Sequence, residues 1–296
     1  MKCGFVSIVG RPNVGKSTLL NSILGMKLAI TSNVSGTTRN IINGIYNDNE
    51  SQIIFVDTPG IHKPNDKLGS LLNKKAYSNT DGVDIILFLV DVSKGIGNGD
   101  KFILEKIKDK EAPIYLLLNK IDLVKDKTKL LSSIDELKEL HPFKEIIPIS
   151  AKKNDNIKTL IDCLKKDLPE MEKIYSEEEL TNVTTKFIMA EFVREKVLEL
   201  THDEIPHTVT CYVENYEEDK KIVHIQVLIV VDRDNIKKII IGKQGSMLKE
   251  IGTRARADME KFLGKKVLLE TYVKILKNWR DQEKYFIELG LKDENE

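Results

Sequence analysis

The chain of 296 residues is short of cysteine, of net charge and of long hydrophobic runs, and each shortage excludes a class of protein. Its three cysteines, Cys3, Cys163 and Cys211, stand far apart and form neither a metal-ligand nor a redox spacing. A zinc site and a disulfide framework are therefore excluded as organising features, and the usage fits a reducing compartment. Lys+Arg and Asp+Glu are equal at 46 each, which excludes a wholly basic protein that coats nucleic acid but leaves room for a basic patch. The apolar run Ile85–Val90 is far shorter than the roughly 20 residues a membrane-spanning helix needs. Met1–Gly4 leads straight into a strand-like run, without the build of a signal peptide. The expectation is a soluble, cytoplasmic protein. With 41% hydrophobic and 31% charged residues the chain is globular, and its length predicts about two domains, each able to bury its own core.

The first part of the chain alternates strand-like and helix-like segments. Phe5–Val9, Ile53–Val56, Ile85–Val90, Ile114–Leu118 and Ile146–Ile149 read as short strands. Lys16–Leu24 and charged segments near 97–110, 128–140 and 155–166 separate them. The alternation predicts a mostly parallel sheet covered by helices, with ligands bound beyond the C-terminal strand ends. Residues 1–168 form this α/β domain, 169–183 a linker marked by Pro169 and an acidic run, and 184–296 a smaller α+β domain. The latter reads as helix (184–200), strand (207–213), strand (222–231), helix, glycine-containing turn, helix (246–263), strand (267–276) and helix (281–289). There is no internal repeat and no low-complexity tract.

Gly10-Arg11-Pro12-Asn13-Val14-Gly15-Lys16-Ser17 fits G-x-x-x-x-G-K-[ST] at every fixed position, between a strand and a helix, and Thr18 continues it. Backbone N–H groups of such a loop converge on phosphate oxygens, and the helix N-terminus adds partial positive charge. Lys16 reaches the β- and γ-phosphates, and the Ser17 hydroxyl coordinates magnesium. The loop alone does not separate ATP from GTP. Asp57-Thr58-Pro59-Gly60 follows a strand at the right distance to support the magnesium shell through Asp57 and to offer the Gly60 N–H to the γ-phosphate. Asn119-Lys120-Ile121-Asp122 follows the next strand but one. The Asp122 carboxylate accepts both N1–H and the 2-amino group of guanine, donors that adenine lacks. Asn119 can bind N7 and brace neighbouring loops, and the Lys120 stem can lie along the base. Ser150-Ala151-Lys152 is too common to count alone; behind the previous motif, its Ala151 N–H suits guanine O6. In Ser35-Gly36-Thr37-Thr38-Arg39 a threonine hydroxyl could join the metal only when the γ-phosphate is present.

Charge is segregated in the second half. Residues 191–231 carry 9 acidic and 4 basic side chains, and residues 232–280 carry 6 acidic and 13 basic. The basic segment holds Gly242-Lys243-Gln244-Gly245, a turn whose two glycines let a sugar-phosphate backbone approach closely, with Lys243 supplying charge. Val227–Val231 is expected to form an apolar platform for bases, and Lys237, Lys238, Lys249, Arg254 and Arg256 to add salt-sensitive affinity. Arg254 and Arg256 read equally well as ordinary helix-surface charges. Trp279 is expected to be a partly buried packing residue rather than a base stacker.

These motifs, in this order, resemble the Era family of bacterial GTPases, within the translation-factor class. The string Asp57-Thr58-Pro59-Gly60-Ile61-His62-Lys63-Pro64 carries the likeness beyond generic GTPases. Ile240–Gly252, with its G-x-x-G turn between helices, resembles a type II KH domain, so the likeness covers nearly the whole chain. The resemblance implies a Ras-like P-loop GTPase domain, a GTP/GDP and magnesium cycle, and binding near the 3′ end of 16S ribosomal RNA during assembly of the 30S subunit. It implies Thr38, rather than Thr37, as the switch ligand. It also implies that Asn13 helps hold a potassium ion beside the phosphates, in the part played elsewhere by an arginine finger. Ile61 stands where Ras-like proteins carry a water-orienting Gln, so slow intrinsic turnover is expected. Ser35-Gly36 departs from the Pro-Gln common in the family, and Asp234-Asn235 from Ser-Gln. The implied catalytic set is Lys16, Asn13, Thr38 and Gly60, and a monomer with peripheral association at the inner face of the cell membrane is carried by the same analogy. Two other readings stay open: an RNA-binding module whose nucleotide domain hardly hydrolyses GTP, and a sibling-family GTPase acting in tRNA modification, against which the KH-like end argues.

Overall fold

The protein is described here by a computed structural model covering residues 1–32, 37–60, 66–203, 205–289 and 291. It divides into two compact units. The first comprises Met1–Ala29, Thr38–Lys63 and Leu71–Asn182; the second comprises Ile30–Thr37, Pro64–Ser70 and Val183–Glu296.

In the first unit the strands β1 (Lys2–Val9), β2 (Ile42–Asn47), β3 (Ser51–Asp57), β4 (Ile85–Asp91), β5 (Ile114–Asn119) and β6 (Glu145–Pro148) form one sheet in the order β2-β3-β1-β4-β5-β6. All neighbours are parallel except β2, which runs antiparallel to β3 at the edge. Every residue of β3, β4 and β5 is buried. That is why these strands read as unbroken apolar runs: a parallel sheet is covered on both faces. The helices are α1 (Lys16–Leu24), α2 (Lys67–Ser78, of which residues 71–78 belong to this unit), α3 (Asn98–Ile107), α4 (Lys127–Leu140) and α5 (Ile157–Asp167). α1 buries Leu19, Leu20 and Ile23 at helical spacing and stops at Gly25 in the left-handed region. α5 does the same with Ile157, Leu160, Ile161 and Leu164.

Residues 168–182 lie along the first unit. Lys2 Nζ donates to Leu168 O at 2.8 Å, and Gln52 Oε1 accepts from the Ile174 and Tyr175 N–H groups at 2.8 and 2.9 Å. Ile45 N–H donates to Leu180 O at 2.9 Å, Gly44 forms an antiparallel bridge with Thr181, and Asn43 N–H reaches Asn182 Oδ1 at 2.8 Å.

The second unit holds α6 (Thr185–Leu200), α7 (Ile205–Thr208), β7 (Thr210–Glu218), β8 (Ile222–Val231), α8 (Asp234–Ile241), α9 (Ser246–Leu263), β9 (Lys266–Ile275) and α10 (Glu283–Glu288). Its sheet order is β7-β8-β9, antiparallel then parallel. α6 is capped by Thr184, whose side chain accepts from Phe187 N–H at 3.2 Å. Its fully buried Arg194 is paired with Glu191 and also donates to Thr37 O.

Three expectations need correction, and two elements were missed. β2 and α2 were not visible in the sequence pattern. β7 begins at Thr210 rather than at 207, because Ile205–Thr208 closes a short helix in which Thr208 Oγ1 donates to Ile205 O at 2.9 Å. Val227–Val231 cannot form a platform: β8 is the central strand, and these residues are 0–5% exposed. The exposed apolar positions on this sheet are Leu268 and Tyr272 of the edge strand β9. Trp279 is entirely buried, not partly, with Nε1 donating to Thr208 O at 2.9 Å.

Candidate functional site

The loops that follow β1, β3, β5 and β6 meet beyond the C-terminal end of the first unit's sheet. The loop Gly10–Lys16 curls between β1 and α1. Gly15 caps α1 at φ 105°, and a Cβ there would stand 2.3 Å from Asn119 Nδ2, so only glycine fits. Asn13 also takes a positive φ, 64°. Lys16 is buried, with Nζ donating to Gly10 O and Arg11 O, both at 3.1 Å. Burial lowers its pKa to about 8, against the pull of the Asp57 charge.

Ser17, Thr38 and Asp57, far apart in the chain, come together. Ser17 Oγ donates to Asp57 Oδ2 at 2.7 Å and lies 2.9 Å from Thr38 Oγ1. Asp57 is wholly buried, and burial raises its pKa to about 6, opposed by Lys16 and by the Ser17 hydrogen bond. Its Oδ1 is buried without a hydrogen-bond partner among the described residues. Two hydroxyls and a carboxylate with an unsatisfied oxygen are hard donors, and they fit a magnesium-type cation. Thr58 Oγ1 anchors the following loop to Ile8 O at 2.8 Å, and Gly60 lies against Pro12 of the phosphate loop.

The base-side residues are braced by one another. Asn119 Nδ2 donates to Val14 O at 2.7 Å, and its Oδ1 accepts from Ala151 N–H at 3.0 Å, so this side chain ties two loops together. Lys120, at φ 68°, donates to Asn13 O at 2.8 Å and pairs with Asp91 Oδ2 at 2.7 Å. Ser150 Oγ donates to Asp122 Oδ1 at 2.6 Å, and Asp122 itself is exposed. Asp91, which sequence reasoning missed, is the last residue of β4; burial pushes its carboxyl up, but Lys120 and Ser93 outweigh this and hold it below its ordinary range. Its place at a strand end in the parallel sheet was the signal that could have found it. Lys152 is exposed and Thr18 half-buried, and neither side chain is hydrogen-bonded into this network among the described residues. Ser35, Gly36 and Ile61–Pro64 lie outside the described residues.

In the second unit, Gly242 (φ 73°) ends α8 and Gly245 (φ 78°) starts α9, with Gln244 also left-handed at φ 51°. A Cβ at Gly242 would stand 2.8 Å from Met247 N and Cβ. Lys243, Gln244 and Lys249 are exposed. A groove of about 370 Å³ runs beside the turn, between α9 and β9, lined by Gly245, Lys249, Gly252, Arg256, Leu269 and Thr271 among others. Arg256 therefore faces the groove, whereas Arg254 and Lys238 are paired along their own helices with Glu250 and Asp234 at 2.7 Å.

A family model described as "50S ribosome-binding GTPase" matches residues 5–120, and one described as "KH domain" matches residues 204–280. A crystal structure of Aquifex aeolicus Era, a single-substitution variant bound to GDP and AlF4−, is 41% identical, with 98% of this chain and 99% of that chain covered and a TM-score of 0.95. The chain belongs to the Era family of GTPases. A second Era structure matches with the same identity, coverage and TM-score; it is a complex with MgGDPNP and nucleotides 1506–1542 of 16S ribosomal RNA. The Ras-like domain with its mostly parallel sheet and the C-terminal KH domain are thus those of the Era fold.

Proposed function

We propose that this Era-family protein is a GTP-hydrolysing switch that binds the 3′ end of 16S ribosomal RNA and acts in assembly of the 30S subunit. The observation that carries the reading is the convergence of Ser17, Thr38 and Asp57 beside Lys16, at a strand-end site whose base side presents Asp122 held by Ser150.

In this reading the N–H groups of Asn13–Thr18 and the Lys16 ammonium cradle the β- and γ-phosphates. Guanine is chosen by Asp122 through N1–H and the 2-amino group and by the Ala151 N–H through O6, with Asn119 bracing both loops. Ser17, Thr38 and Asp57 would hold magnesium, which would neutralise charge on the phosphate oxygens. Water attacks the γ-phosphorus, and the bond to the β–γ bridging oxygen breaks, giving GDP and phosphate. Lys16 and the Gly60 N–H stabilise the charge that develops. Asn13 helps hold potassium beside the phosphates; equal hydrolysis rates in potassium and sodium would remove that part of the reading.

RNA lies over Gly242–Gly245, with Lys243 and Lys249 on its phosphates and the α9–β9 groove beneath a base. The reducing compartment implied by the free cysteines supports a cytoplasmic location. No described helix is long and apolar enough to cross a membrane. A monomer with peripheral membrane association rests on family likeness alone; sedimentation with vesicles tests it.

The deciding experiment is GTP hydrolysis by the whole chain in potassium and magnesium, with and without an oligonucleotide matching the 3′ end of 16S ribosomal RNA. Hydrolysis stimulated by that RNA, and not in Gly242→Asp, is the expected result. RNA binding without hydrolysis in any condition would favour an RNA-binding module with a silent nucleotide domain.

A further inference from the structure

Arg11 belongs to the phosphate loop, but its side chain is bound elsewhere. Nε donates to Asp100 Oδ1 at 2.7 Å, and Nη2 pairs with Asp100 Oδ2 at 2.7 Å, a two-pronged guanidinium–carboxylate pair. Asp100 lies in the first turn of α3 and is completely buried. Its Oδ2 also accepts from Gly97 N–H at 2.9 Å, which caps that helix. Gly99 leaves the slot for the arginine stem: a Cβ there would stand 2.6 Å from Arg11 Cδ. At the other end of the same residue, the Arg11 carbonyl accepts from Lys16 Nζ at 3.1 Å. One continuous line therefore runs from α3 through Asp100 and Arg11 to the Lys16 ammonium.

We propose that Asp100 and Arg11 are positioning residues that hold the phosphate loop in its binding shape and set the place of the Lys16 ammonium. The physical need is specific. Asn13 and Gly15 both sit at positive φ, and the loop's N–H groups must converge without a ligand to hold them. A fixed guanidinium fork supplies that constraint from the side, and it does so before nucleotide arrives. Preorganisation of this kind acts on binding: it lowers the ordering cost for every ligand that uses the loop. GDP and GTP should feel its loss alike, and the chemical step less. The inference rests on the guanine-nucleotide reading of this site.

The test uses the whole chain with Asp100→Asn, Arg11→Lys and the double variant. Asn keeps an acceptor for Gly97 N–H, and Lys keeps the charge but loses the fork. Titration with fluorescently labelled GDP, steady-state GTP kinetics and the nucleotide-free melting midpoint are measured together. We expect each single variant to weaken GDP binding and raise KM by roughly 10- to 100-fold, with a smaller fall in kcat, and the double variant to be no worse than the weaker single one. A lowered melting midpoint with GDP affinity unchanged would make the pair a staple of the fold and overturn the proposal, as would additive losses in the double variant. If Asp100→Asn does not fold, Arg11→Lys decides by the same readouts. Failure of the unsubstituted chain to bind GDP would instead overturn the nucleotide reading, and this proposal with it.

Discussion

The Ser17 hydroxyl donates to Asp57 Oδ2 at 2.7 Å, joining the start of α1 to the end of β3 while Thr38 Oγ1 stands 2.9 Å away. A cation entering between these oxygens would replace the Ser17–Asp57 hydrogen bond and draw on Asp57 Oδ1, which has no hydrogen-bond partner among the described residues. On the proposed reading these three groups hold the metal, and protonation of Asp57 competes with it.

With the roles proposed for Asp57 and Lys16, that competition predicts the pH dependence. Asp57 must lose its proton to bind magnesium, and burial puts its pKa at about 6. Lys16 must keep its proton to hold phosphate, and burial puts its pKa at about 8. Hydrolysis measured as kcat/KM, which reports the free protein, should therefore fall as pH drops through about 6 and fall again as pH rises through about 8. A profile flat across both limbs would contradict the roles of both residues.

Gly15→Ala should strongly weaken nucleotide binding. The new methyl would meet Asn119 Nδ2 at 2.3 Å at a backbone φ of 105°, breaking the brace that also holds Val14 and Ala151. Loss of about 100-fold or more in GDP affinity by titration is the expected outcome, with the sheet's melting less affected.

Asp122→Asn should change which base is bound. An amide cannot accept both guanine donors, but its NH2 can donate to the C2 carbonyl of xanthine. Affinity for GDP should fall by at least ~10²-fold and xanthosine diphosphate should gain; competition titration of the two nucleotides reads the switch. Ser150→Ala, which removes the 2.6 Å hydrogen bond to Asp122, should produce a smaller loss of GDP affinity without the gain.

RNA binding should depend on Gly242 and Lys249 in different ways. Gly242→Asp forces a side chain to φ 73° against Met247 and should remove binding at every salt concentration. Lys249→Ala should weaken binding and reduce the slope of log affinity against log salt by about 1. Filter binding across a potassium chloride series separates the two.

Much of this was legible in the chain. β4 and β5 announce themselves because burial on both faces demands unbroken apolar residues, and the nucleotide motifs are local enough to be read as strings. β2 was hidden because an edge strand such as Ile42-Asn43-Gly44-Ile45-Tyr46-Asn47 mixes polar residues with a glycine. Asp100 was hidden because its partner, Arg11, lies 89 positions away and neither residue is part of the fixed motif. Val227–Val231 looked like an available surface because hydrophobicity in sequence does not distinguish a central strand from a face open to ligand. Trp279 was legible as a packing residue, but its complete burial, with the indole N–H on Thr208 O, was not. Being the single tryptophan, it should resist iodide quenching with and without RNA.

The backbone contacts made by Leu180 and Thr181, with the Asn182 side chain beside them, give β2 a neighbour on its outer side. A sheet margin with unused N–H and C=O groups is a template for strand addition from another molecule. Here the chain itself occupies part of that template. A fragment stopped at residue 168 would uncover the margin and is expected to self-associate, whereas one carried on to residue 182 should remain dispersed; that outcome would make the acidic segment at the end of the first unit a guard against aggregation.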